Sequence, residues 1–360
     1  MLLTLKSKLI TTPEQKTTLL KTMERFNSAC NYISKIAFKT KTFGKVKLQK
    51  LVYYDVREKY GLSSQMVVRA IGKVSESYKT DKKTLHKFKP HGAIIYDERI
   101  LTIKTPDTIS ILTINGRIKL PIKFGDYLPL ENKRVRGQAD LIYKNGEFYL
   151  MLVVDIPEEP PNSSFSNVLG VDLGIVNLAT TSDGVKYSGE KCTKVRKRYE
   201  RLRAELQKKN TWSAKRKLKK ISGRERRFKR DINHCISKQI VITAKGTNRA
   251  IALEDLKGIR NGGTVNKAVK KLIDRWAFYE LAQFIQYKAK LYGVPVFFVN
   301  PRYTSQTCSN CGHVSKNNRK SQSVFVCEKC GFSENADVNA ALNIAHRAEQ
   351  YYLGLSCQPA

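Results

Sequence analysis

The spacing of apolar residues changes from a strand period to a helix period near the start of the chain. Residues 2–10 alternate between polar and apolar, which predicts a strand. The pattern then becomes helical, with Thr12 as an N-cap, Pro13 at the first helical position and Gln15 placed to bond back to the cap. Helices with Lys-rich outer faces are predicted in order at 13–38, 47–60 and 63–88.

A period of two returns after the third helix and predicts antiparallel strands. The alternating segments are 100–104, 109–114, 117–122, 138–143 and 147–155. The dipeptides Asn115-Gly116 and Asn145-Gly146 are typical of tight hairpin turns. Short strands of this kind usually close into a small barrel. We expect the strand at 2–10 to join this barrel, so that the helices form an insertion within it.

A nearly continuous apolar run at 168–180 contains one acid, Asp172, and follows a stretch rich in Pro and Ser at 156–166 that predicts a linker. The run predicts a central strand that meets a second strand, with a turn at 182–184. A carboxylate is costly in such a run unless it has a partner. Backbone donors or a lysine are the ordinary partners of a lone acid in this position.

Two further acids favour a different interpretation. Residues 250–256 predict another buried strand, which carries Glu254, and Asp337 opens a predicted helix. Three carboxylates on two core strands and a helix N-terminus are what binding two hard divalent cations for phosphodiester cleavage requires. Asp183 and Asp255, which lie nearby in sequence, are interpreted as turn and surface residues.

The segment 191–230 is strongly basic, with 19 Lys and Arg against three Glu. Its sparse apolar positions predict two helices packed along narrow seams, with cationic faces left to contact phosphates. A merely solubilising surface is the alternative. The candidate nucleic-acid contacts are Arg196, Lys197, Arg198, Lys215, Arg216, Lys219, Arg226, Arg227, Arg230 and, further along the chain, Arg302.

Two more helices are predicted beyond this basic segment. Apolar positions at 232–244 indicate a helix against the sheet, and His234 within it is interpreted as a structural hydrogen-bonding residue. A helix at 272–291 follows a turn at Gly262-Gly263. Its aromatic residues Trp276 and Phe278 either pack in the core or stack on bases. We expect core packing for both. A strand is then predicted at 294–299.

Four of the eight cysteines form two C-x-x-C pairs separated by fifteen residues. This spacing is typical of a zinc ribbon, because each pair offers two thiolates and two pairs complete a tetrahedron. The ligands are Cys308, Cys311, Cys327 and Cys330. Two redox-active pairs are the alternative, but the βαβ pattern of a thioredoxin-like protein is missing around them. Asp337 follows the ribbon closely, so zinc would also fix segments that flank a candidate catalytic acid.

The composition bounds the class of partner. A formal net charge of +35 on 360 residues destabilises the compact state by self-repulsion unless an anionic partner neutralises it, and nucleic acid is the natural one. The length predicts two or three domains. The sequence shows neither an uninterrupted apolar run of about 18 residues nor the order of a signal peptide. We therefore expect a soluble cytoplasmic protein that is nucleoid-associated when bound to DNA and has no membrane partner.

A resemblance to the transposon-encoded TnpB (OrfB) family, relatives of the compact type V CRISPR effectors, rests mainly on five motifs. These are Gly-Val-Asp-Leu-Gly (170–174), Leu-Glu-Asp-Leu (253–256), Arg-Tyr-Thr-Ser-Gln-Thr-Cys-Ser-Asn-Cys-Gly (302–312), Cys-Glu-Lys-Cys-Gly (327–331) and Asn-Ala-Asp-Val-Asn-Ala-Ala (335–341). Before residue 160 the resemblance is looser, at 11–16 and 144–150. The family's fold is a multidomain α+β architecture. The resemblance implies a wedge β-barrel (1–10 and 91–160), an inserted helical recognition subdomain (11–90), a RuvC-like nuclease domain with the RNase H fold (161–306 and 335–360) and a zinc ribbon inserted in it (307–334).

The resemblance further implies an RNA-guided DNA endonuclease, in which a transposon-derived guide RNA pairs with the target and the protein reads a short flanking DNA motif. Asp172, Glu254 and Asp337 fall on the family's three metal-binding acids. Two Mg²⁺ ions, replaceable by Mn²⁺ in vitro, and one structural Zn²⁺ are implied. Guide RNA and double-stranded target DNA are the implied partners, with one protein copy per RNA and a dimer as the alternative. Arg302 and the polar residues 304–306 either contact the scissile strand or form a satisfied loop.

Other functions remain open at this point. A compact type V CRISPR effector would differ in genomic context, and a non-cleaving DNA- or RNA-binding regulator would share the charge and the ribbon. Transposase chemistry is disfavoured because no Tyr lies in a recognisable His-containing nucleophilic motif. A guide-free resolvase would not need the wedge and recognition modules. Since all three acid positions hold carboxylates, we expect cleavage by a single site.

Overall fold

The computed structural model describes residues 1–105, 107–124, 134–255 and 278–352. The chain divides into two compact units, Met1–Pro157 and Glu158–Ala360. Among the described residues, no helix combines the length and the apolar character needed to cross a bilayer.

The boundary between the units lies in the stretch predicted to be a linker. Its second half is bound to the second unit, since the Asn162 N–H donates to the Gly293 carbonyl (2.9 Å) and the Ser166 N–H donates to the Asn248 carbonyl (2.9 Å). The predicted linker thus contains the boundary between the units, and its second half is attached to the second unit.

The first unit contains three helices, α1 (Pro13–Thr40), α2 (Lys45–Tyr60) and α3 (Ser64–Thr80). The predicted capping box of α1 is confirmed. Thr12 Oγ1 accepts from the Gln15 N–H (3.2 Å), and Gln15 Oε1 accepts from the Thr12 N–H (3.0 Å). The prediction that the third helix continues to residue 88 is wrong, because Asp81 is extended and its Oδ1 accepts from the Lys83 N–H (2.7 Å), which ends the helical turn.

Seven strands of the first unit form one antiparallel sheet. They are β1 (Leu2–Leu9), β2 (Ile94–Tyr96), β3 (Leu101–Thr105), β4 (Thr108–Thr113), β5 (Gly116–Lys123), β6 (Arg134–Lys144) and β7 (Glu147–Asp155). The order β2-β6-β7-β1-β5-β4-β3 confirms that the first strand joins this sheet, and it places that strand between β7 and β5. The Tyr96 hydroxyl at the end of edge strand β2 donates to the Leu112 carbonyl of β4 (3.0 Å), so the sheet curls until it is nearly closed.

The two predicted hairpins differ in their turns. In the second hairpin Asn145 and Gly146 have φ of 53° and 84°, as a tight two-residue turn requires. In the first hairpin the turn residues are Ile114 and Asn115, and Gly116, with φ of 96°, already pairs with Thr113. The predicted Asn115-Gly116 turn is thus one residue out of place, because the left-handed residue follows the turn instead of forming part of it.

The second unit is built on a five-stranded sheet. Its strands are β8 (Asn167–Asp172), β9 (Asn177–Thr181), β10 (Lys186–Ser188), β11 (Arg249–Glu254) and β12 (Val296–Val299), in the order β10-β9-β8-β11-β12. Strands β8, β9 and β10 pair antiparallel, whereas β11 runs parallel to both β8 and β12. The predicted central strand is confirmed, and its acid stands at the carboxyl end.

The described helices of the second unit are α4 (Glu190–Lys209), α5 (Trp212–Ile221), α6 (Arg224–Gly246), α7 (Phe278–Leu291) and α8 (Ala336–Tyr352), and some of them cover both faces of this sheet. Apolar residues of α6 and α7, such as Ile240 and Ile285, pack with Leu169 on one face. On the other face Ile344 of α8 packs with Val168. The basic segment 191–230 therefore forms two helices and the start of a third, because α6 continues into the helix predicted against the sheet.

A short two-stranded sheet lies between the main sheet and α8 in the chain. It comprises β13 (Val324–Val326) and β14 (Ser333–Asn335), preceded by a 3₁₀ helix at Lys316–Asn318. The turn predicted at Gly262-Gly263 lies outside the described residues, as does Trp276 with the first part of the helix predicted at 272–291.

Candidate active site and cysteine ribbon

Two of the three candidate acids end neighbouring strands. Asp172 is the last residue of β8 and Glu254 is the last residue of β11. These strands are parallel, with Val171 opposite Leu253. Because the carboxyl ends of adjacent parallel strands meet at one edge of a sheet, the two carboxylates leave the sheet side by side.

The third acid, Asp337, is brought to this edge by the close approach of α8 to β8. A Cβ atom built on Gly170 would lie 2.0 Å from the Ala341 carbonyl oxygen, so only glycine allows the helix to come so near. Asp337 lies one helical turn before Ala341, and Asp172 follows Gly170 by two residues. The first glycine of Gly-Val-Asp-Leu-Gly thus has a structural role in placing the acids together.

The electrostatics show that the three acids act on one another. Burial raises the pKa of Asp172 to about 7, and the charges of Glu254 and Asp337 add to the rise. Burial also raises the pKa of Glu254. The charge of Arg319 acts in the opposite direction and lowers the pKa of Asp172. A partly buried group of carboxylates with this much repulsion has a high affinity for protons or cations.

Two of the acids, Asp337 and Glu254, accept hydrogen bonds from other side chains. Asn177 Nδ2 donates to Asp337 Oδ2 (2.9 Å), and Arg319 Nη2 donates to Asp337 Oδ1 (3.5 Å). The Thr304 hydroxyl donates to Glu254 Oε1. These contacts fix the orientation of the carboxylates that would be ligands.

Sequence reasoning missed Arg319 and Asn177 as partners of the acids. Arg319 lies in the segment between the two cysteine pairs, where no local pattern marks it. Asn177 begins β9 and reaches Asp337 only through the sheet topology. Of the two alternatives for Thr304, the satisfied loop agrees with the structure, since its side chain is buried (3% exposed) and its hydroxyl donates to Glu254. Arg302, two residues earlier, is exposed.

The four cysteines predicted to bind zinc converge on one point. Their sulfurs all lie within 4.8 Å of one another. The Sγ–Sγ distance is 3.7 Å for Cys308 and Cys330 and 3.6 Å for Cys311 and Cys327. Zinc–sulfur bonds of about 2.3 Å in a regular tetrahedron require sulfur–sulfur edges of about 3.8 Å. The four thiols could therefore bind one zinc ion.

The two cysteine pairs are built as matching turns. The Gly312 N–H donates to the Cys308 carbonyl (2.9 Å), and the Gly331 N–H donates to the Cys327 carbonyl (3.0 Å). Both glycines have positive φ, 72° and 73°. A backbone N–H of Phe332 lowers the pKa of Cys330 to about 6, which favours the thiolate that a metal needs.

The candidate nucleic-acid contacts lie on α4, α5 and α6, except for Arg302 in the loop after β12. All are exposed except Arg196, which is partly buried with an Nε that has no hydrogen-bond partner. Arg230 lies 3.8 Å from Glu280. A cleft of about 720 Å³ is bordered by six cations and one acid, together with Tyr199, Leu202 and Ile221. The charged residues are Lys194, Lys197, Arg198, Arg201, Lys217, Arg224 and Glu205.

The fold and the cysteines define an α+β protein with a nearly closed sheet and a zinc-ribbon-like domain. Two family models match this chain. The model described as "Probable transposase" matches residues 151–258, and the model described as "Cas12f1-like, TNB domain" matches residues 278–344. The matched segments include all three acids and all four ribbon cysteines.

Curated relatives agree with these matches. The chain is 29% identical to the CRISPR-associated endodeoxyribonuclease Cas12f1 of Sulfoacidibacillus thermotolerans, over 56% of this chain and 50% of that protein. It is 32% identical to the putative RNA-guided DNA endonuclease InsQ of Escherichia coli, over 66% of this chain and 64% of that protein. The resemblance to the TnpB (OrfB) family is confirmed, and the chain is a relative of the TnpB and Cas12f proteins. It spans between half and two thirds of the length of these two relatives.

The fold is similar to that of a solved Cas12f1 protein. A cryo-EM structure of a Cas12f1–sgRNA–target DNA complex matches with a TM-score of 0.61 at 18% identity, over 93% of this chain and 83% of that one. At this identity the likeness establishes the compact type V-like fold.

Proposed function

We propose that the protein is an RNA-guided DNA endonuclease of the TnpB type, which uses a transposon-derived guide RNA and a short flanking DNA motif and cuts DNA at a single two-metal site. The observation that carries the proposal is the cluster of Asp172, Glu254 and Asp337, in which burial and the two neighbouring charges raise the pKa of Asp172 to about 7. Three carboxylates near two arginines, Arg319 and Arg347, leave an excess of negative charge that bound cations would offset.

The donor set fits Mg²⁺, because hard divalent cations prefer carboxylate oxygens. Asp172, Glu254 and Asp337 would hold two ions, which Mn²⁺ could replace in vitro. When bound, such ions stabilise charge on a reacting phosphate and activate water. The protein's own groups orient the ligands through the bonds from Asn177 and Thr304, and no side-chain nucleophile is needed.

The sheet topology supports a RuvC-like core. An antiparallel run of three strands followed by two parallel strands, with a helix packed across the central strand, matches the RNase H arrangement that the resemblance implies. On this basis we propose a RuvC-like nuclease domain (161–306 and 335–360), a zinc ribbon (307–334), a wedge barrel (1–10 and 91–160) and a helical recognition subdomain (11–90).

We assign one structural Zn²⁺ to Cys308, Cys311, Cys327 and Cys330. The sulfur positions suit a closed tetrahedron, which leaves no open coordination site for chemistry. The ion would hold the segment that presents Arg319 to Asp337 and would therefore connect ribbon folding to the acid cluster.

The cationic surface of α4, α5 and α6 supports nucleic acid as the partner. Backbone phosphates are the ligands best suited to a dense, mostly exposed set of Lys and Arg, and the cleft of about 720 Å³ offers aliphatic and aromatic side chains beside them. Guide RNA and double-stranded target DNA are the proposed partners, with one protein copy per RNA. A protein working on genomic DNA would be cytoplasmic and associated with the nucleoid.

The proposal is tested by expressing the full chain with its native flanking transcript, sequencing the RNA that co-purifies, and replacing the guide segment of that RNA. With Mg²⁺ and a plasmid library carrying the matching target beside randomised flanks, we expect linear products that require the matching sequence. Asp172→Ala should abolish cutting while the amount of co-purified RNA stays unchanged.

Two results would overturn the proposal in different ways. Guide-directed DNA binding without any cutting by the unmutated protein would show a regulator. Cutting that does not depend on the guide sequence would show a conventional nuclease.

A further inference from the structure

The loop between β12 and the cysteine ribbon carries a side chain that points into the acid cluster. Thr304 is 3% exposed, and its hydroxyl donates to Glu254 Oε1, with the Pro301 carbonyl as a second neighbour at 3.1 Å. A hydroxyl has one proton, so donation to a carboxylate is favoured over donation to a neutral carbonyl. The contact favours the ionised form of Glu254 and restricts rotation of its carboxyl group.

Three residues of α8 hold this loop in place. Asn339, Asn343 and Arg347 are spaced by four and therefore lie on one face of the helix. Asn343 Nδ2 donates to the carbonyls of Thr304 (2.9 Å) and Thr307 (2.7 Å).

The other two members bind the loop on either side of Thr304. Asn339 Nδ2 donates to the Thr307 carbonyl (2.8 Å). Arg347 Nη1 donates to the carbonyls of Asn300 (2.8 Å) and Arg302 (2.7 Å). The same helix carries Asp337, so one rigid element fixes an acid directly and a second acid through the loop.

The loop adopts a conformation that this support must maintain. Tyr303 has φ of 64°, a left-handed backbone that a bulky side chain rarely adopts. Its carbonyl accepts from the N–H groups of Gln306 (3.0 Å) and Thr307 (3.0 Å). The turn directs the next side chain, Thr304, inward to Glu254. Strained backbone beside a candidate active site persists where the surrounding structure determines it.

From these contacts we infer that Thr304 is a positioning residue for Glu254, held by the Asn339–Asn343–Arg347 face of α8, and that its hydroxyl sets the affinity of the acid cluster for divalent cations. The inference rests on the proposed function only in taking the acids as metal ligands. The effect expected of losing an outer partner of a metal ligand is about 10–100-fold in metal affinity or activity.

The test measures Mn²⁺ binding to the zinc-loaded full chain by electron paramagnetic resonance of the free ion, with no nucleic acid present. Thr304→Val keeps the side-chain shape and removes the hydroxyl, and we expect it to weaken Mn²⁺ binding by about 10-fold or more. Thr304→Ser restores the hydroxyl and should bind within about 3-fold of the unmutated protein. Zinc content and melting temperature identify any variant that is simply misfolded.

Thr307→Val is the matched control, because its hydroxyl lies in the same loop but donates to the Tyr303 carbonyl (2.8 Å). Unchanged Mn²⁺ affinity in Thr304→Val would overturn the inference, as would an equal loss in Thr307→Val. A hydroxyl-dependent loss of Mn²⁺ binding, in a protein that cuts no DNA, would uphold the inference and overturn the proposed function. Normal guide-directed cutting, together with an Mn²⁺ affinity that Thr304→Val leaves unchanged, would overturn the inference and uphold the proposed function.

Discussion

The cysteine ribbon and the acid cluster differ in how much of each site is present before a metal binds. The four cysteines come from one short segment, and their sulfurs lie within 4.8 Å of one another, near the edges of a zinc tetrahedron. The acids come from β8, β11 and α8. Among the described residues, the carboxylate oxygens of the three acids do not all lie within 4.8 Å of one another. A metal site whose ligands lie in one short segment can be specified by local sequence. A metal site whose ligands come from distant strands and helices depends on how those elements pack.

The two sites also differ in what holds the ligands. The ribbon cysteines sit in backbone turns that repeat the same hydrogen bond and the same glycine conformation. The acids are oriented by side chains from three other places in the chain, Asn177, Thr304 and Arg319. The acid cluster should therefore respond to substitutions of its neighbours, and the ribbon mainly to loss of its own ligands.

The largest effect is expected from removing a ribbon ligand. Cys311→Ser should abolish zinc binding and unfold the ribbon, because structural zinc contributes about 10–16 kcal/mol to small zinc-folded peptides. Cleavage should fall by more than it does on replacing Arg319 alone, since an unfolded ribbon removes Arg319 from the acid cluster and also releases the segment that precedes Asp337. Bound zinc is measured by inductively coupled plasma mass spectrometry, alongside cleavage of a guide-matched plasmid.

Cys235→Ser is the control for this change. Cys235 is an exposed thiol on α6, outside the ribbon. It should keep one zinc per chain and full cleavage. Retention of stoichiometric zinc by Cys311→Ser would show that three thiolates suffice and that the site is not the closed one described above.

An intermediate effect, of opposite sign for stability, is expected at the acid cluster. Asp172→Asn should abolish cleavage yet raise the melting temperature of the zinc-loaded protein in magnesium-free buffer, because it removes a buried charge repelled by Glu254 and Asp337. The shift should be about 2–4 °C for each kcal/mol of repulsion relieved. Differential scanning calorimetry across a pH series measures it.

The stability that the protein gains from Asp172→Asn should depend on pH in a defined direction. The pKa of Asp172 is raised from 3.8 to about 7, so between these values the folded protein binds a proton that the unfolded chain does not. Stability of the unmutated protein therefore falls as pH rises through this window. The advantage of Asp172→Asn should grow with pH and level off above about pH 7.

Asp183→Asn provides the matched comparison. Asp183 pairs with Arg249 (2.6 Å), and this hydrogen bond lowers the pKa of the Asp183 carboxyl. The substitution should lower stability slightly at neutral pH and leave cleavage intact. A loss of stability in Asp172→Asn at pH 8 would mean that the acids do not repel one another in the folded protein.

Much of the architecture could be predicted from local sequence, and the predictions that differ from the structure do so for physical reasons. The capping box of α1 and the Asn145-Gly146 turn are local interactions, and both are confirmed. The third helix stops early because the side chain of Asp81 competes for backbone donors, which apolar spacing does not reveal. The linker predicted at 156–166 does contain the unit boundary, but the attachment of its second half to Asn248 and Gly293 depends on residues that are distant in sequence.

The same distinction applies to the acid cluster. Its acids were predicted from their places at strand ends and a helix start, because buried strands and helix caps have local patterns. Their orienting partners were not. Asn177 and Arg319 reach Asp337 from 160 and 18 residues away, through topology that a single sequence does not display.

The smallest effect is expected where the two sites meet. Arg319→Gln keeps the ribbon cysteines but removes the donor to Asp337 and the charge that lowers the pKa of Asp172. Cleavage should fall by about 10–100-fold, as for other partners of metal ligands. The acid limb of the rate–pH profile should move to higher pH, because Asp172 then holds its proton more tightly. Single-turnover cleavage at saturating guide RNA measures both changes.

Arg319→Lys separates charge from geometry in this contact. A lysine keeps the positive charge but loses the planar donor group, so the acid limb should stay near its original pH while the rate falls. Normal zinc content in both variants would confine the effect to the acids. An unchanged cleavage rate and an unchanged rate–pH profile in Arg319→Gln would contradict this prediction. The ribbon and the acid cluster would then be independent sites, despite the contact between Arg319 and Asp337.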